Sequence, residues 1–306
     1  MKTPASFPNR KGFTLMELMV AMAITVIIVT VLVSITSIAI ETWNRSRSEL
    51  RAARQAKSMV DTLARDFEAM VTRPGGKDPV SGKSFEWLVA DSTKSSSATS
   101  GPLPSTNATD LIFFTAATDR YKGEIGGTAD LGGDVSCVGY QLFWKDPIDQ
   151  SGTAFKTFVF NRLLVDPKPA FDQLLGKPDL AAAFGNFSGN VEKTENFVCE
   201  NLYQFTISFH LSVPSTTAGA AAVPKVVSIG PSGTVKKISI KGDGIEAAED
   251  ATLKTAKLTA IEISLTVLSD TGVDQLRRSS PSGNRQADFM AKHSYQYSKL
   301  VQVPGM

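Results

Sequence analysis

The feature that most constrains the fold is a continuous apolar run over residues 13–40. Of its 28 residues, 21 are apolar, and Glu17 is the single charged residue. At a helical rise of about 1.5 Å per residue, the run would span about 42 Å, which exceeds the roughly 30 Å hydrocarbon core of a bilayer. The sequence therefore predicts one transmembrane helix at about 13–40.

Residues 1–12 form a polar leader that contains Lys2, Arg10 and Lys11 and no acidic residue, as is typical of a targeting segment. A cleavable secretory signal would have a shorter apolar stretch and a small-residue cleavage site, which Ala21-Met-Ala23 could supply. The apolar character continues for 17 residues beyond Ala23. This continuation favours a permanent helix.

The position of Glu17 is unusual, because an ionised side chain in lipid is costly and persists mainly where it has a partner. The heptapeptide from Lys11 to Glu17, KGFTLME, resembles the type IV prepilin signal shared by type IV pilins and type II secretion pseudopilins. The resemblance implies cleavage between Gly12 and Phe13, N-methylation of Phe13, and neutralisation of a neighbouring subunit's amino terminus by Glu17 during assembly.

Physical chemistry gives the same pairing a rationale. Cleavage after Gly12 leaves an amine in apolar surroundings, one helical turn from Glu17. An amine and a carboxylate about 4 Å apart attract by roughly 4 kcal/mol at an effective dielectric constant near 20, so pairing between staggered subunits could offset desolvation. In the alternative, the chain is a single-pass anchor for an extracytoplasmic binding module that does not polymerise, and Glu17 reaches the interface near Lys11.

The helical pattern continues beyond the apolar run, since Met59, Leu63, Phe67 and Met70 share one helix face. The segment RPGG at 73–76 disfavours further helical turns, which predicts a helix over 13–72. We therefore expect a leader at 1–12, a long helix at 13–73 and a head domain at 74–306. The basic residues within 45–57 could contact anionic membrane lipid before assembly or form a solvated helix face.

The rest of the chain predicts a mainly antiparallel β head, which with the helix gives an α+β fold. A short strand is predicted at 85–89 and longer ones at 111–115, 137–144, 157–165, 198–211, 236–240 and 258–268. A short helix is predicted at 170–184 and a loop at 214–233. Four segments, GYQLF from Gly139, NRLL from Asn161, ENLYQF from Glu200 and AIEISL from Ala260, resemble J-type minor pseudopilins, PilW-like proteins and the Verru_Chthon cassette protein C family.

Composition offers little support for enzymatic chemistry. The net charge of +2 gives no footprint for nucleic acid, and the chain has two histidines, His210 and His293, without a recognisable catalytic or nucleotide-binding motif. We therefore predict a non-enzymatic protein that has no cofactor and does not bind nucleic acid directly.

Two further groups of residues allow alternatives. Cys137 and Cys199 lie at the starts of predicted strands, where they could form a disulfide or remain two separately buried thiols. Four acidic residues could offer oxygen ligands to calcium, although their spacing matches no EF-hand loop and a solvated turn is the simpler interpretation. They are Asp243, Glu246, Glu249 and Asp250.

The resemblance implies a non-enzymatic minor pilin or pseudopilin that assembles into a type IV pilus or a type II secretion pseudopilus. The resemblance implies three kinds of protein partner: a prepilin peptidase, an inner-membrane assembly platform and other pilins or pseudopilins. It also implies a cytoplasmic leader and a head outside the bacterial inner membrane.

Overall fold

The computed structural model describes residues 13–93, 110–116, 134–149, 155–215, 221–230, 233, 235–279, 281 and 283–303. The predicted leader, including Gly12, lies outside these residues. The chain divides into two compact units, which we call the helical unit (up to Ser48) and the sheet unit (from Glu49). The expected division into a leader at 1–12, a long helix at 13–73 and a head domain at 74–306 stays a prediction.

The first element, α1, is a 54-residue helix over Leu15–Glu68, slightly shorter than the predicted helix at 13–72. It ends before the Pro74 signal because the following backbone joins a strand. The N–H of Val71 donates to the carbonyl of Phe114 at 2.8 Å, which draws the chain into an extended path.

A seven-stranded antiparallel sheet has the order β5-β4-β3-β2-β1-β8-β9. Its strands are β1 Glu86–Asp91, β2 Asp110–Thr115, β3 Ser136–Lys145, β4 Thr157–Val165, β5 Phe197–Glu200, β8 Lys237–Lys241 and β9 Gly244–Ala247. A four-stranded antiparallel sheet has the order β11-β10-β6-β7. Its strands are β6 Leu202–Val213, β7 Val223–Ile229, β10 Lys257–Leu268 and β11 Ser294–Gln302.

The long helix and the antiparallel sheets confirm the predicted α+β class and form a pilin-like architecture. The single strand predicted at 198–211 is wrong: it is two strands in different sheets, separated by Asn201, whose φ of 63° turns the chain. The loop predicted at 214–233 contains β7, an edge strand that can include Pro224 because an edge leaves one side of the backbone unpaired.

Both faces of the seven-stranded sheet are covered. On its inner face, an inner core joins Leu111 and Phe113 to the four-stranded sheet and to the second part of α1. On its outer face, an outer core joins Ile112 and Phe114 to short helical segments. This double burial explains why all residues of β1 and β2 are buried, without the alternation of a half-exposed strand.

The outer core is covered by broken helical turns instead of the single helix predicted at 170–184. They are α2 Pro167–Pro169, a π turn Ala170–Leu174, α3 Leu180–Phe184, α4 Ser188–Val191 and the 3₁₀ turns Gly185–Phe187 and Thr194–Asn196. The remaining helical segments are the 3₁₀ turn Ala251–Thr255, α5 Asp270–Arg278 and α6 Asn284–His293. Gly176, with φ of 78°, interrupts the region because L-residues with side chains rarely adopt this conformation.

Candidate functional site

The start of α1 is organised by Thr14 and Glu17. The backbone N–H and the hydroxyl of Thr14 both donate to Glu17 Oε2 at 3.0 Å, and the N–H of Glu17 lies 3.3 Å from Thr14 Oγ1. This reciprocal arrangement is a capping box, which satisfies backbone donors that a helix N-terminus leaves without partners. Glu17 Oε1 accepts no hydrogen bond within the described residues, so one carboxylate oxygen is available to another group.

Thr14 is the site residue that our sequence reasoning missed. The Thr-x-x-Glu spacing from Thr14 to Glu17 was the available signal, because it places a capping hydroxyl at the N-cap and an acid at the third helical position. Phe13 immediately precedes this box, and Gly12, on the other side of the expected cleavage point, lies outside the described residues.

The polar side chains farther along the apolar segment bond to their own helix. Each hydroxyl donates to a carbonyl three or four residues earlier, which allows it to enter lipid without losing a hydrogen bond. The donors are Thr25, Thr30, Ser34, Thr36, Ser37 and Thr42.

The surface of this segment is apolar and exposed. Residues 13–47 are all exposed in the chain, and the side chains buried on α1 begin at Ala52. Among the described residues, α1 is the one helix long and apolar enough to cross a membrane. Such an unpacked apolar surface requires lipid or another protein as its environment.

Part of the basic cluster at 45–57 is held by the sheet unit. Arg51 Nη2 lies 3.0 Å from Glu200 Oε1, and its Nη1 lies 2.9 Å from Asp270 Oδ2. Gln55 Nε2 donates to the same oxygen of Glu200 at 3.1 Å. Arg51 therefore fixes the start of the packed part of α1, whereas contact between the cluster and lipid remains a prediction.

The other end of α1 is fixed by a buried ion pair that our sequence reasoning also missed. Arg162 donates to both oxygens of Asp66 at 2.8 Å, and the two side chains are only 3% and 2% exposed. The hydroxyl of Tyr140 donates to the same carboxylate. Burial and the adjacent negative charge raise the pKa of Tyr140 well above its usual value, so the phenol stays protonated and acts as a donor.

The disulfide considered for Cys137 and Cys199 is not formed: both thiols are free and buried. Cys137 belongs to the outer core and Cys199 to the inner core, where its Sγ lies 3.5 Å from Met59 Sδ. Strand β4 separates their two strands, whose axes therefore lie about 9.5 Å apart, and Cys137 lies opposite Val165 whereas Cys199 lies opposite Phe160, farther along β4, so the two thiols are beyond the usual disulfide range.

Three of the four acidic residues considered for calcium, Asp243, Glu246 and Asp250, line one pocket together with Lys254. These three form ion pairs with different lysines, and Glu249 accepts a hydrogen bond from the backbone N–H of Lys236 at 3.3 Å. The pairs are Asp243 with Lys254, Glu246 with Lys241 and Asp250 with Lys225. No group of three or more His, Cys, Asp or Glu side chains in the described part of the chain could hold a metal ion.

The two histidines occupy structural positions. His210 Nε2 lies 3.5 Å from Glu262 Oε2 on the neighbouring strand. His293 Nδ1 lies 3.1 Å from the hydroxyl of Ser269, which also caps α5 by accepting the N–H of Gly272. Burial and the nearby Lys292 lower the pKa of His293, which favours its neutral form.

The comparisons with known proteins concern the same end of the chain. The family described as the prokaryotic N-terminal methylation motif matches residues 7–33, which include Phe13, Thr14 and Glu17. No curated protein and no solved structure matches the chain. The chain thus has a prepilin-type N-terminal motif, which supports its placement among the type IV pilin-like proteins.

Proposed function

We propose that this protein is a non-enzymatic minor pilin or pseudopilin subunit, processed by a prepilin peptidase and assembled through α1 into a filament. The observation that carries the proposal is the N-terminal methylation motif at residues 7–33. The motif ends within an apolar helix surface whose side chains are exposed in the described part of the chain. Processing by a prepilin peptidase requires the motif, and assembly by helix packing requires an exposed apolar helix surface. Both features support the proposal.

The capping box suggests how Glu17 serves both the membrane-inserted monomer and the assembled subunit. In the monomer, the two donors of Thr14 satisfy Oε2. Cleavage after Gly12 then creates an amine on Phe13 of each chain. The amine of a neighbouring subunit can bind the free Oε1 without breaking the box, so Thr14 acts as a positioning residue that holds the carboxylate ready.

Assembly moves the apolar part of α1 from lipid to protein. In this proposal, residues 1–12 are the cytoplasmic leader, the apolar segment spans the inner membrane, and the sheet unit lies outside that membrane. Other pilins or pseudopilins cover the apolar side chains after extraction by an assembly platform. The pairing at Glu17 sets the axial stagger, because packing between apolar helices is weakly specific along the helix axis.

Processing is tested at the N-terminus of the mature protein. We expect mass spectrometry of membrane-extracted protein to find a chain beginning at methylated Phe13 when a prepilin peptidase is co-expressed. A Gly12→Val variant should retain its leader. The matched control Ala23→Val should mature normally, because that position belongs to the competing secretory-signal interpretation.

Two results would refute this part of the proposal. An intact leader in the presence of an active peptidase would favour the non-polymerising anchor, and a mature chain that starts near Thr25 would favour a cleaved secretory signal. A correctly processed chain that never enters sheared filaments would refute the assembly step alone.

A further inference from the structure

The two sheets have four edge strands, and β11 differs from the other three. Strands β5 and β9 have only four residues each. Strand β7 has seven residues but includes Pro224, which has no backbone N–H to donate to a further strand. Strand β11 has nine residues, no proline and an unbroken register with β10. Among the strands that the structure describes, β11 is therefore the edge least protected against pairing with another strand.

The free side of β11 presents backbone hydrogen-bonding groups. The backbone of β11 bonds to β10 on one side, and no described residue bonds to it on the other. In an antiparallel strand, alternate residues direct both their N–H and their C=O groups towards the same side. A further strand can bind the groups on the free side of an edge, as in strand addition. The free side of β11 is thus a main-chain binding site.

The charge on β11 does not prevent such pairing. A lysine within an edge strand normally opposes the addition of a strand, because its charge would become buried. Lys299 is the only charged residue of β11, and its Nζ lies 3.1 Å from Asp61 Oδ1 on α1. Because Asp61 and Lys299 belong to the same chain, a further strand meets this lysine as half of an ion pair.

The sequence of β11 is complementary to itself. Ser298 is the middle residue of the strand, so a two-fold axis at Ser298 places all nine residues opposite residues of a second copy. In this register Tyr295 lies opposite Val301 of the second copy, and aromatic side chains opposite β-branched ones stabilise antiparallel pairs. Tyr297 lies opposite Lys299 of the second copy. No like charges face each other, whereas a register centred on Lys299 would place two lysines opposite each other.

Side chains on both faces of β11 gain cover in this pairing. Tyr295 and Tyr297 pack against the inner core but remain partly exposed. On the other face Leu300 is 54% exposed and would lie opposite Gln296 of the second copy. The exposed side chains of that face are uncharged, so their approach to a second copy carries no electrostatic penalty. They are Gln296, Ser298, Leu300 and Gln302.

We propose that β11 binds β11 of a second copy of this chain in antiparallel register about Ser298 and joins the two four-stranded sheets edge to edge. The result is a two-fold dimer, to which each copy contributes the same surface. The inference goes beyond the proposed function and rests on neither leader cleavage nor filament assembly.

Cross-linking of engineered cysteines with a short bismaleimide tests this register in the detergent-solubilised full chain. Ser298→Cys faces itself across the proposed interface. Val226→Cys is the matched control, because Val226 is the middle residue of β7, the other edge of the same sheet, and is 54% exposed. Burial raises the pKa of both native thiols, Cys137 and Cys199, so they do not compete for the reagent.

We expect at least about tenfold more cross-linked dimer at position 298 than at position 226, because facing Cβ atoms in an antiparallel pair are only about 5 Å apart. Association of two copies through α1 in one micelle would affect both positions, so the control accounts for it.

Positions beside the axis test the register more strictly. Gln296→Cys and Leu300→Cys should each cross-link poorly alone, because like positions are about 14 Å apart along the strands. Chains carrying one substitution should cross-link to chains carrying the other when the two are mixed.

Charge substitutions test the same contacts without moving the cysteine. Adding Gln296→Lys and Leu300→Lys to Ser298→Cys places lysines opposite lysines and should reduce cross-linking by about tenfold. Mixing these chains with chains that carry Gln296→Glu and Leu300→Glu should restore it. Both positions are exposed in the single chain, so circular dichroism should show that each variant stays folded.

Equal cross-linking at 298 and 226 would overturn the inference, as would Gln296→Cys that links to itself as readily as to Leu300→Cys. A folded chain that gives no product at 298 would also reject a second copy as the occupant of this edge. Because the experiment requires neither cleavage nor a filament, these failures leave the proposed function intact. Conversely, a chain that is never processed should still cross-link at 298.

Discussion

At the scale of single residues, Glu17 combines a charge that lipid disfavours with a local structure that tolerates it. The donors of Thr14 engage one oxygen of the carboxylate and leave the other available. A carboxylate held in this way needs one more donor to be satisfied. An amine on a neighbouring chain can supply that donor and a compensating charge.

Glu17→Ala should leave cleavage after Gly12 unchanged and reduce incorporation into filaments by at least about tenfold. The loss of an attraction of roughly 4 kcal/mol is more than sufficient, since about 1.4 kcal/mol corresponds to a factor of ten. Immunoblots of sheared filaments and membranes measure the effect. Ser34→Ala is the control, because the Ser34 hydroxyl bonds only to its own helix. Normal incorporation of Glu17→Ala would contradict the proposed pairing.

The buried pair of Asp66 and Arg162 allows a second prediction at this scale. Arg162→Met leaves the carboxylate buried without its cation, which should reduce the free energy of unfolding by about 3–5 kcal/mol. Arg51→Met removes ion pairs that are largely exposed to solvent and should reduce the free energy of unfolding by about 1 kcal/mol or less. Urea denaturation of both variants measures the difference. Equal losses of unfolding free energy in the two variants would show that burial does not increase the contribution of the Asp66–Arg162 pair to stability.

At the scale of secondary-structure elements, the sequence predicts those helices and strands whose structure depends on residues close together in the chain. The predicted strands at 111–115, 137–144 and 157–165 match β2, β3 and β4 within a residue at each end. In these segments apolar residues alternate or run continuously between clear turn signals. The start of α1 was predicted within two residues, whereas its cap at Thr14 was missed although the Thr-x-x-Glu spacing is contiguous with the motif.

The elements that sequence reasoning missed depend on distant partners. Asn201 breaks the strand at 198–211 while its side chain joins Thr157 to Asp270, and neither partner is nearby in sequence. The segment that forms β11 is polar, so its composition does not predict a strand. It becomes a strand because it pairs with β10. Likewise, Asp66 lies 96 residues from Arg162, so no local pattern could reveal their pairing.

Packing between elements makes Gly139 a sensitive position. A Cβ at Gly139 would lie 2.2 Å from Cζ of Phe184, so the ring of α3 can pack on β3 only where the strand lacks a side chain. Gly139→Ala should therefore destabilise the protein by about 1–3 kcal/mol. Gly189→Ala in α4 is the control, since no described atom beyond its chain neighbours and its own helix backbone lies within 4 Å of the added Cβ, and helix propensity predicts a gain of about 0.5–1 kcal/mol.

Chemical denaturation of both glycine variants measures these changes. Combining Gly139→Ala with Phe184→Leu should recover part of the loss, because the smaller side chain vacates the space that the new methyl group requires. A neutral effect of Gly139→Ala alone would contradict the close packing of Phe184.

At the scale of the whole molecule, the two cores share one sheet and should unfold together. Cys199 reports on the inner core and Cys137 on the outer core, and burial raises the pKa of both thiols. We expect both to resist maleimide in the native protein and to react at the same rate as denaturant is added. Mass spectrometry of peptides labelled over time measures the two rates. Much faster labelling of Cys137 would show that the helical turns over the outer core open independently.

The participation of α1 in the inner core determines where the protein can be cut. Seven side chains between Ala52 and Phe67 form part of that core, and Asp66 holds the buried charge of Arg162. A recombinant fragment starting at residue 74 would lack these side chains of α1, so its inner core would be exposed to solvent and the fragment should aggregate on expression. A fragment starting at Glu49 would retain these side chains and would omit the apolar run at residues 13–40. Crystallographers and immunologists who need soluble material should therefore truncate within the helix instead of after it.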